Sequence, residues 1–523
     1  MSSNCPSSIL RLSSILTSSA PALALLVGSV TPGCGGWYES FDPQEASIDE
    51  LRSQVKSGHV SCRRVVERYE ELRDKIEPQI NALVTWNDRL RSDADRLDRI
   101  PVWQRGSLHC VPVVVKDNID VAGLPTSVGA GGLAGTVATQ NAEIVTRLLD
   151  AGALVLGKSN LPDFALDGTN TLSSVAGQTR NPYNLGFSVY GSSGGSAAAI
   201  ASSLGVIGLG TDTYGSLVQP ASATGLVTLR PTQGLVARAG IAPLMTLQDM
   251  PGPMTRTVSD AAIALELLVD KTQSGKGSQD YTKVLKTDGL RALHVGWDPL
   301  VLQEVAALGW QPNKDVVALF NSAVSQLTLA GVNTKQVSAV MPLLPSLQDL
   351  SNASFACMPV DFKEGFNAYL QARGASAPAK SLADVLSGGR FLASARSFLE
   401  SAQSQSDTIA GSGACQSYLT KKDSTAAAIT ALMDREELDL LVYPAANQPV
   451  PMAGQKPPAG WFGFQILSSP TGLPSLSMTM GIEPTSGAPV GLIFLARKYQ
   501  EAKLIQAAFG LEAQARARVA PRL

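Results

Sequence analysis

The chain has 523 residues, 44% hydrophobic and 16% charged, with a formal net charge of −2. That length supports a large buried core, and the composition is that of a folded globular chain rather than a disordered one. With no net basic charge and no basic run interleaved with aromatics, the sequence argues against nucleic acid as a partner and gives no electrostatic reason for an anionic membrane surface.

Two residue counts narrow the chemistry. Only three histidines occur, His59, His109 and His294, so any Ser-His-Asp or Cys-His mechanism must draw its base from these. The six cysteines (Cys5, Cys34, Cys62, Cys110, Cys357, Cys415) contain no C-x-x-C pair. No metal site is expected from that pattern. The cysteines read as lone buried small hydrophobes, with a single bridge compatible and a disulfide framework unsupported.

In chain order, residues 1–40 form a leader whose apolar part, Ala20 to Val27, is too short to span a bilayer and suits a secretion signal. Thr31-Pro32-Gly33-Cys34-Gly35 follows as a loose cleavage box. A disordered Ser-rich segment is the competing reading, so secreted or periplasmic and cytoplasmic placements both stay open. Nothing later reads as transmembrane. Ser47-Ile48-Asp49-Glu50 is a capping box that opens the first of two helices; in the second, Val65, Val66, Tyr69, Leu72 and Ile76 share a face until Pro78 and Asn81 break the pattern.

Val111 to Val115 is a β-branched run typical of a buried strand, with Lys116-Asp117-Asn118 at its carboxyl end. A helix near 142–151 leads to a second apolar strand, Ala153 to Gly157, and Val206 to Leu209 gives a third. Residues 272–440 are mostly helical in pattern, and a strand at Leu438 to Tyr443, a last strand near Gly491 to Phe494 and a helix over 501–515 close the chain. The alternation predicts an α/β fold in one large domain.

The stretch from Gly191 to Pro220 is rich in glycine, serine, alanine and threonine. A phosphate loop is unsupported, since no lysine follows the glycines. Gly191-x-Ser193-x-Gly195 matches a nucleophile elbow formally, but a turn precedes it where a strand is needed. The remaining reading makes the glycines functional, letting backbone N–H groups approach a carbonyl oxygen that becomes negative. The serine then needs a base other than histidine, and a lysine held neutral by burial, Lys116, supplies one.

The Val-Val-Val-Lys-Asp-Asn context of Lys116, the Gly-Ser-Ser-Gly-Gly-Ser block from Gly191 and the Gly-Thr-Asp-Thr-x-Gly-Ser block from Gly210 resemble the three catalytic segments of the amidase signature family. Their order and spacing agree, with 24 residues between Ser192 and Ser216 and 76 between Lys116 and Ser192. Similarity runs from about residue 45 to the end and includes Gly152 to Asn160, Pro251 to Asp260, Thr471 to Ser475 and Gly487 to Ala508.

The resemblance implies Ser216 as nucleophile, Ser192 (its peptide bond cis) as proton relay and Lys116 as ultimate base. It implies an oxyanion hole from the backbone N–H groups of Thr213, Tyr214, Gly215 and Ser216, with Ser193 orienting the lysine from behind. It implies a single domain over 45–523 with a mixed β-sheet core surrounded by helices, no metal and no organic cofactor, and a small-molecule or peptide amide as substrate, shaped by the variable region of about 272–440. Asp212 reads as a structural acceptor for loop N–H groups, Asp117 and Asn118 as turn-fixing residues, and His109 as a packed, hydrogen-bonded side chain.

Two departures stand out. Most members carry Gly-Gly-Ser-Ile-Arg where this chain has Tyr214-Gly215-Ser216-Leu217-Val218, so a bulky ring enters the oxyanion loop and the usual arginine partner of Asp212 is lost or replaced. Secreted peptide amidases resemble this chain in lacking that arginine. Three readings stay open: amide hydrolysis through an acyl-serine; the same chemistry on esters or carbamates, or acyl transfer to an amine; and an inactive amidase-like binding protein with Tyr214 blocking the loop.

Overall fold

The computed structural model describes residues 41–269, 280–338, 340–374, 377–457, 460 and 463–523. The leader, with Cys5 and Cys34, lies outside the described residues. Strands are β1 Leu83–Trp86, β2 Pro112–Lys116, β3 Leu154–Ser159, β4 Leu172–Ser173, β5 Gly177–Gln178, β6 Ile207–Asp212 and β7 Val227–Arg230. They continue with β8 Met250–Thr255, β9 His294–Trp297, β10 Asn333–Gln336, β11 Leu440–Pro444, β12 Ser475–Ile482 and β13 Pro489–Ala496. The short β4 and β5 pair with each other, and the other eleven form one sheet in the order β1-β3-β2-β6-β8-β7-β12-β13-β11-β9-β10.

Parallel pairing joins β3 to β2 and β2 to β6, while β6 to β8 and the pairs from β8 through β7, β12 and β13 to β11 are antiparallel. The sheet is therefore mixed, inside a single large α/β domain. Its central strands are buried on both faces: every residue of β2, β3 and β6 is inaccessible, which is why they read as unbroken apolar runs rather than alternating ones. Because β2 and β6 run side by side in the same direction, Lys116 and Asp212 stand at the same end of the sheet, where the loops that follow them start.

Local signals place the flanking helices. The capping box at Ser47 is complete, with the Glu50 carboxylate taking the Ser47 N–H and the Ser47 hydroxyl taking that of Glu50. The helix Cys62–Ile80 buries Val65, Val66, Tyr69 and Leu72 as its spacing predicts. It does not stop at Pro78 but runs through it to Ile80, where Asn81 ends it in the left-handed region with φ of 50°.

Strands also stand where none was expected. The span 272–440 is not helical alone, because β9 and β10 add two parallel strands at the sheet edge. The Pro-Gly-Pro-Met stretch is a strand, β8, even though proline cannot donate to a ladder. Its pairing with β7 involves only Met254 and Thr255, beyond both prolines.

The cysteines are not lone hydrophobes either. Cys62 bonds to Cys110 and Cys357 to Cys415, all four buried. The first bridge fastens the start of the helix Cys62–Ile80 to the turn before β2. The second fastens the helix Leu344–Ala372 to the helix Gly413–Arg435. His109 packs against the first bridge, its Nε2 lying 3.6 Å from Cys62 Sγ, but its Nδ1 is buried with no hydrogen-bond partner. Burial pushes the His109 pKa down to about 4. With both sulfurs tied up in the bridge, this Cys-His cluster offers no thiolate to a metal. No described helix is long and apolar enough to cross a membrane.

Candidate active site

Two loops meet the carboxyl ends of β2 and β6. One, over 190–193, leads into the helix Gly194–Ala201; the other, over 213–217, leads into the helix Val218–Ala223. Backbone crowding explains the glycines of the first. A Cβ on Gly191 would lie 2.2 Å from the Asp167 carbonyl oxygen, and one on Gly194 would lie 2.2 Å from Thr171 Oγ1. The Gly191–Ser192 peptide is cis.

Lys116 is fully buried. Its Nζ lies 2.7 Å from Ser192 Oγ, 3.0 Å from Ser193 Oγ and 2.9 Å from Thr211 Oγ1. Three hydroxyl oxygens match the three donors of an ammonium, yet none carries a charge to stabilise it. Burial accordingly pulls the Lys116 pKa down to about 7, against the weaker pull of the Asp212 and Asp249 charges.

Once the amine is neutral, one hydroxyl must reverse and donate to its lone pair. Ser193 is already committed, donating to the Thr211 carbonyl at 3.1 Å. Ser192 and Thr211 can make that reversal, and Ser192 stands on the loop that meets the second serine: the adjoining Ser193 N–H donates to Ser216 O at 3.2 Å. Ser216 is 6% exposed, and its Oγ has no protein partner among the described residues.

The loop carrying Ser216 is held from behind. Thr213 Oγ1 donates to Asp249, whose other oxygen takes the N–H groups of Leu244 at 2.8 Å and Met245 at 3.0 Å. Gln248 Nε2 donates to Thr213 O at 2.6 Å, and Ser354 on the helix Leu344–Ala372 donates to Gln248 Oε1 at 2.7 Å. No hydrogen bond among the described residues engages the N–H groups of Tyr214 or Ser216. The Gly215 N–H, expected with them in the oxyanion hole, donates instead to Asp212 Oδ1 at 3.0 Å. Gly215 itself has φ of +81°, the turn that brings Ser216 forward.

The family model described as Amidase matches residues 64–505. The chain belongs to the amidase signature family. A glutamyl-tRNA(Gln) amidotransferase component from a Synechococcus sp. is 30% identical over 492 residues, covering 90% of this chain and 97% of that one. The peptide amidase from Stenotrophomonas maltophilia superposes with a TM-score of 0.79 at 31% identity, covering 91% and 98% of the two chains. An amidase family protein from Bacillus anthracis gives 0.78 at 28% identity over 92% and 93%.

Within this member of the family the two departures have structural answers. Val218 carries no charge, and Arg230, at the end of β7, supplies it: Arg230 Nε lies 3.1 Å from Asp212 Oδ1, both side chains inaccessible. Arg230 Nη2 also donates to the carbonyls of Gln248 at 2.8 Å and Ser469 at 3.0 Å. Asp212 in turn takes the N–H groups of Gly215 and Leu217, the latter at 2.8 Å, as an acceptor for loop N–H groups should. Tyr214 turns its ring onto Phe355, with centroids 4.6 Å apart and planes parallel, and its hydroxyl is buried.

Asp117 and Asn118 do more than fix a turn. Asp117 pairs with the buried Lys158 at 3.0 Å and takes the Ser127 N–H at 2.9 Å. Asn118 Nδ2 reaches Thr211 Oγ1 at 3.1 Å. Sequence reasoning missed Thr211, Arg230, Gln248, Asp249, Ser354 and Phe355. An arginine closing the apolar strand Val227-Thr228-Leu229 was the one available signal, because a charge in such a place needs a buried partner.

Proposed function

We propose that the chain hydrolyses a carbon-nitrogen amide bond through a covalent acyl-serine. Neutral Lys116 takes the proton of Ser192, which takes that of Ser216, and Ser216 Oγ bonds to the carbonyl carbon. The N–H groups of Tyr214 and Ser216, with that of Thr213 beside them, stabilise the resulting oxyanion. Collapse breaks the C–N bond, and the proton held on Lys116 returns through Ser192 to the departing nitrogen. A water then attacks the acyl group, giving its proton to the same relay and releasing a carboxylic acid.

The observation that carries this reading is the fully buried Lys116 amine with hydroxyls as its nearest partners. A lysine kept for charge alone would be given a carboxylate. Tyr214, stacked aside on Phe355, leaves its N–H unengaged, which supports an active enzyme over an inactive binding protein.

Likeness to a peptide amidase makes primary amides at peptide C-termini the first substrates to try. With such substrates the leaving group is ammonia. Purified protein should release ammonia from N-acetylated amino-acid amides, and Lys116→Ala should lower kcat by about 10² to 10⁴ while the circular dichroism spectrum is unchanged. Ammonia release by Lys116→Ala at the wild-type rate would refute the lysine mechanism.

A further inference from the structure

The structure holds a half-exposed aromatic ring, stacked on the loop that carries Ser216, that the bond-breaking chemistry does not use. Phe355 lies on the helix Leu344–Ala372 and is 50% exposed, whereas its neighbours Ala353, Ser354 and Cys357 are buried. One face of its ring is covered by Tyr214, two residues before Ser216, in parallel stacking at 4.6 Å. We propose that Phe355 is the specificity-determining platform of the acyl pocket, selecting primary amides whose acyl part carries an aromatic ring next to the scissile carbonyl. This rests on the hydrolase reading above.

The argument begins with rigidity. A half-exposed phenylalanine on a free helix end would sample rotamers, and a platform must not. Phe355 is pinned three ways: by the stack on Tyr214, by Ser354 through Gln248 to the Thr213 carbonyl, and by the Cys357–Cys415 bridge on the same helix. The first two ties end on the loop that carries Ser216 and the third fixes the helix itself, so the ring is held relative to the nucleophile.

The chemistry of the ligand follows from the surface. An exposed, immobile ring gains both from apolar burial and from the offset or edge-on geometry that aromatic pairs prefer. Because Tyr214 occupies one face, a ligand must use the remaining face or edge. A primary amide has ammonia as leaving group, so any ring on the substrate belongs to its acyl half.

The test separates binding from turnover. In a Ser216→Ala background, which removes the nucleophile but keeps the pocket, dissociation constants are measured calorimetrically for the N-acetylated amides of alanine, leucine and phenylalanine. The proposal expects the phenylalanine amide to bind about fivefold tighter than the leucine amide, within the range of an aromatic pair at ~1.4 kcal/mol per factor of ten. Adding Phe355→Ala or Phe355→Leu should bring that ratio close to one, and the leucine variant keeps apolar bulk so that only the flat ring is lost. A ratio near one before the substitution, or a ratio unchanged after it, overturns the platform. The unsubstituted protein is assayed for ammonia release on the same three amides. No turnover with the binding preference intact would sink the hydrolase reading and, with it, the role in choosing substrates, leaving only a ring-binding surface; turnover without the preference would overturn the platform alone.

Discussion

An amine ringed by hydroxyls, with no carboxylate in hydrogen-bonding reach, titrates unlike a surface lysine. Lys116 is half neutral near pH 7, where an exposed lysine is almost wholly protonated. Only the neutral amine can accept the proton of Ser192, so protonation below that value removes the base. The expected pH profile of kcat/KM therefore falls on the acid side with a midpoint near 7 and a slope of one decade per pH unit, measured on any amide that is turned over. A rate independent of pH between about pH 5 and pH 8 would contradict this assignment.

At the residue scale, much of the site was legible. The three blocks around Lys116, Ser192 and Ser216 are contiguous, and their chemistry can be argued from the side chains they contain. Arg230 and Thr211 were not legible as partners. Arg230 reaches Asp212 only because β7 is carried back beside β8, a matter of strand order and not of spacing. Gly215 failed in the other direction, since its N–H is taken by Asp212, which a string cannot reveal.

At the scale of elements, the helix Leu344–Ala372 joins catalytic loop to variable region. Its amino-terminal half meets the loop carrying Ser216 through the stack of Phe355 on Tyr214 and, by way of Gln248, through Ser354, and a disulfide spanning 58 residues ties it to the helix Gly413–Arg435. A crosslink over so long a loop restricts the unfolded chain strongly. Removing it with the double change Cys357→Ala and Cys415→Ala should cost about 2–4 kcal/mol, read as a lower urea midpoint with a steeper slope, because the released unfolded chain exposes more surface. A midpoint equal to the wild-type value would show that the bridge adds nothing. Neither bridge was predicted, because pairing 48 or 58 residues apart depends on which helices pack together. The strands β9 and β10 escaped for a related reason: four-residue strands carry too short a pattern to compete with the helical periodicity around them.

For the whole molecule, the apolar runs of β2, β3 and β6 gave away buried strands, and helix-strand alternation gave away the α/β class. The eleven-stranded sheet and its order were beyond pattern reading, since they depend on pairings such as β7 with β12 across some 240 residues. That sheet brings Lys116, from its first third, beneath two loops that arrive roughly eighty and one hundred residues later. This end of the sheet, with its buried amine and unengaged N–H groups, predicts one activated serine in the molecule.

The most direct measurement is mass spectrometry of the protein after exposure to a serine-reactive fluorophosphonate, with Ser216→Ala alongside. The account predicts a single adduct on the peptide containing Ser216, absent from the variant. An adduct on Ser193, or none on a folded protein, would contradict it.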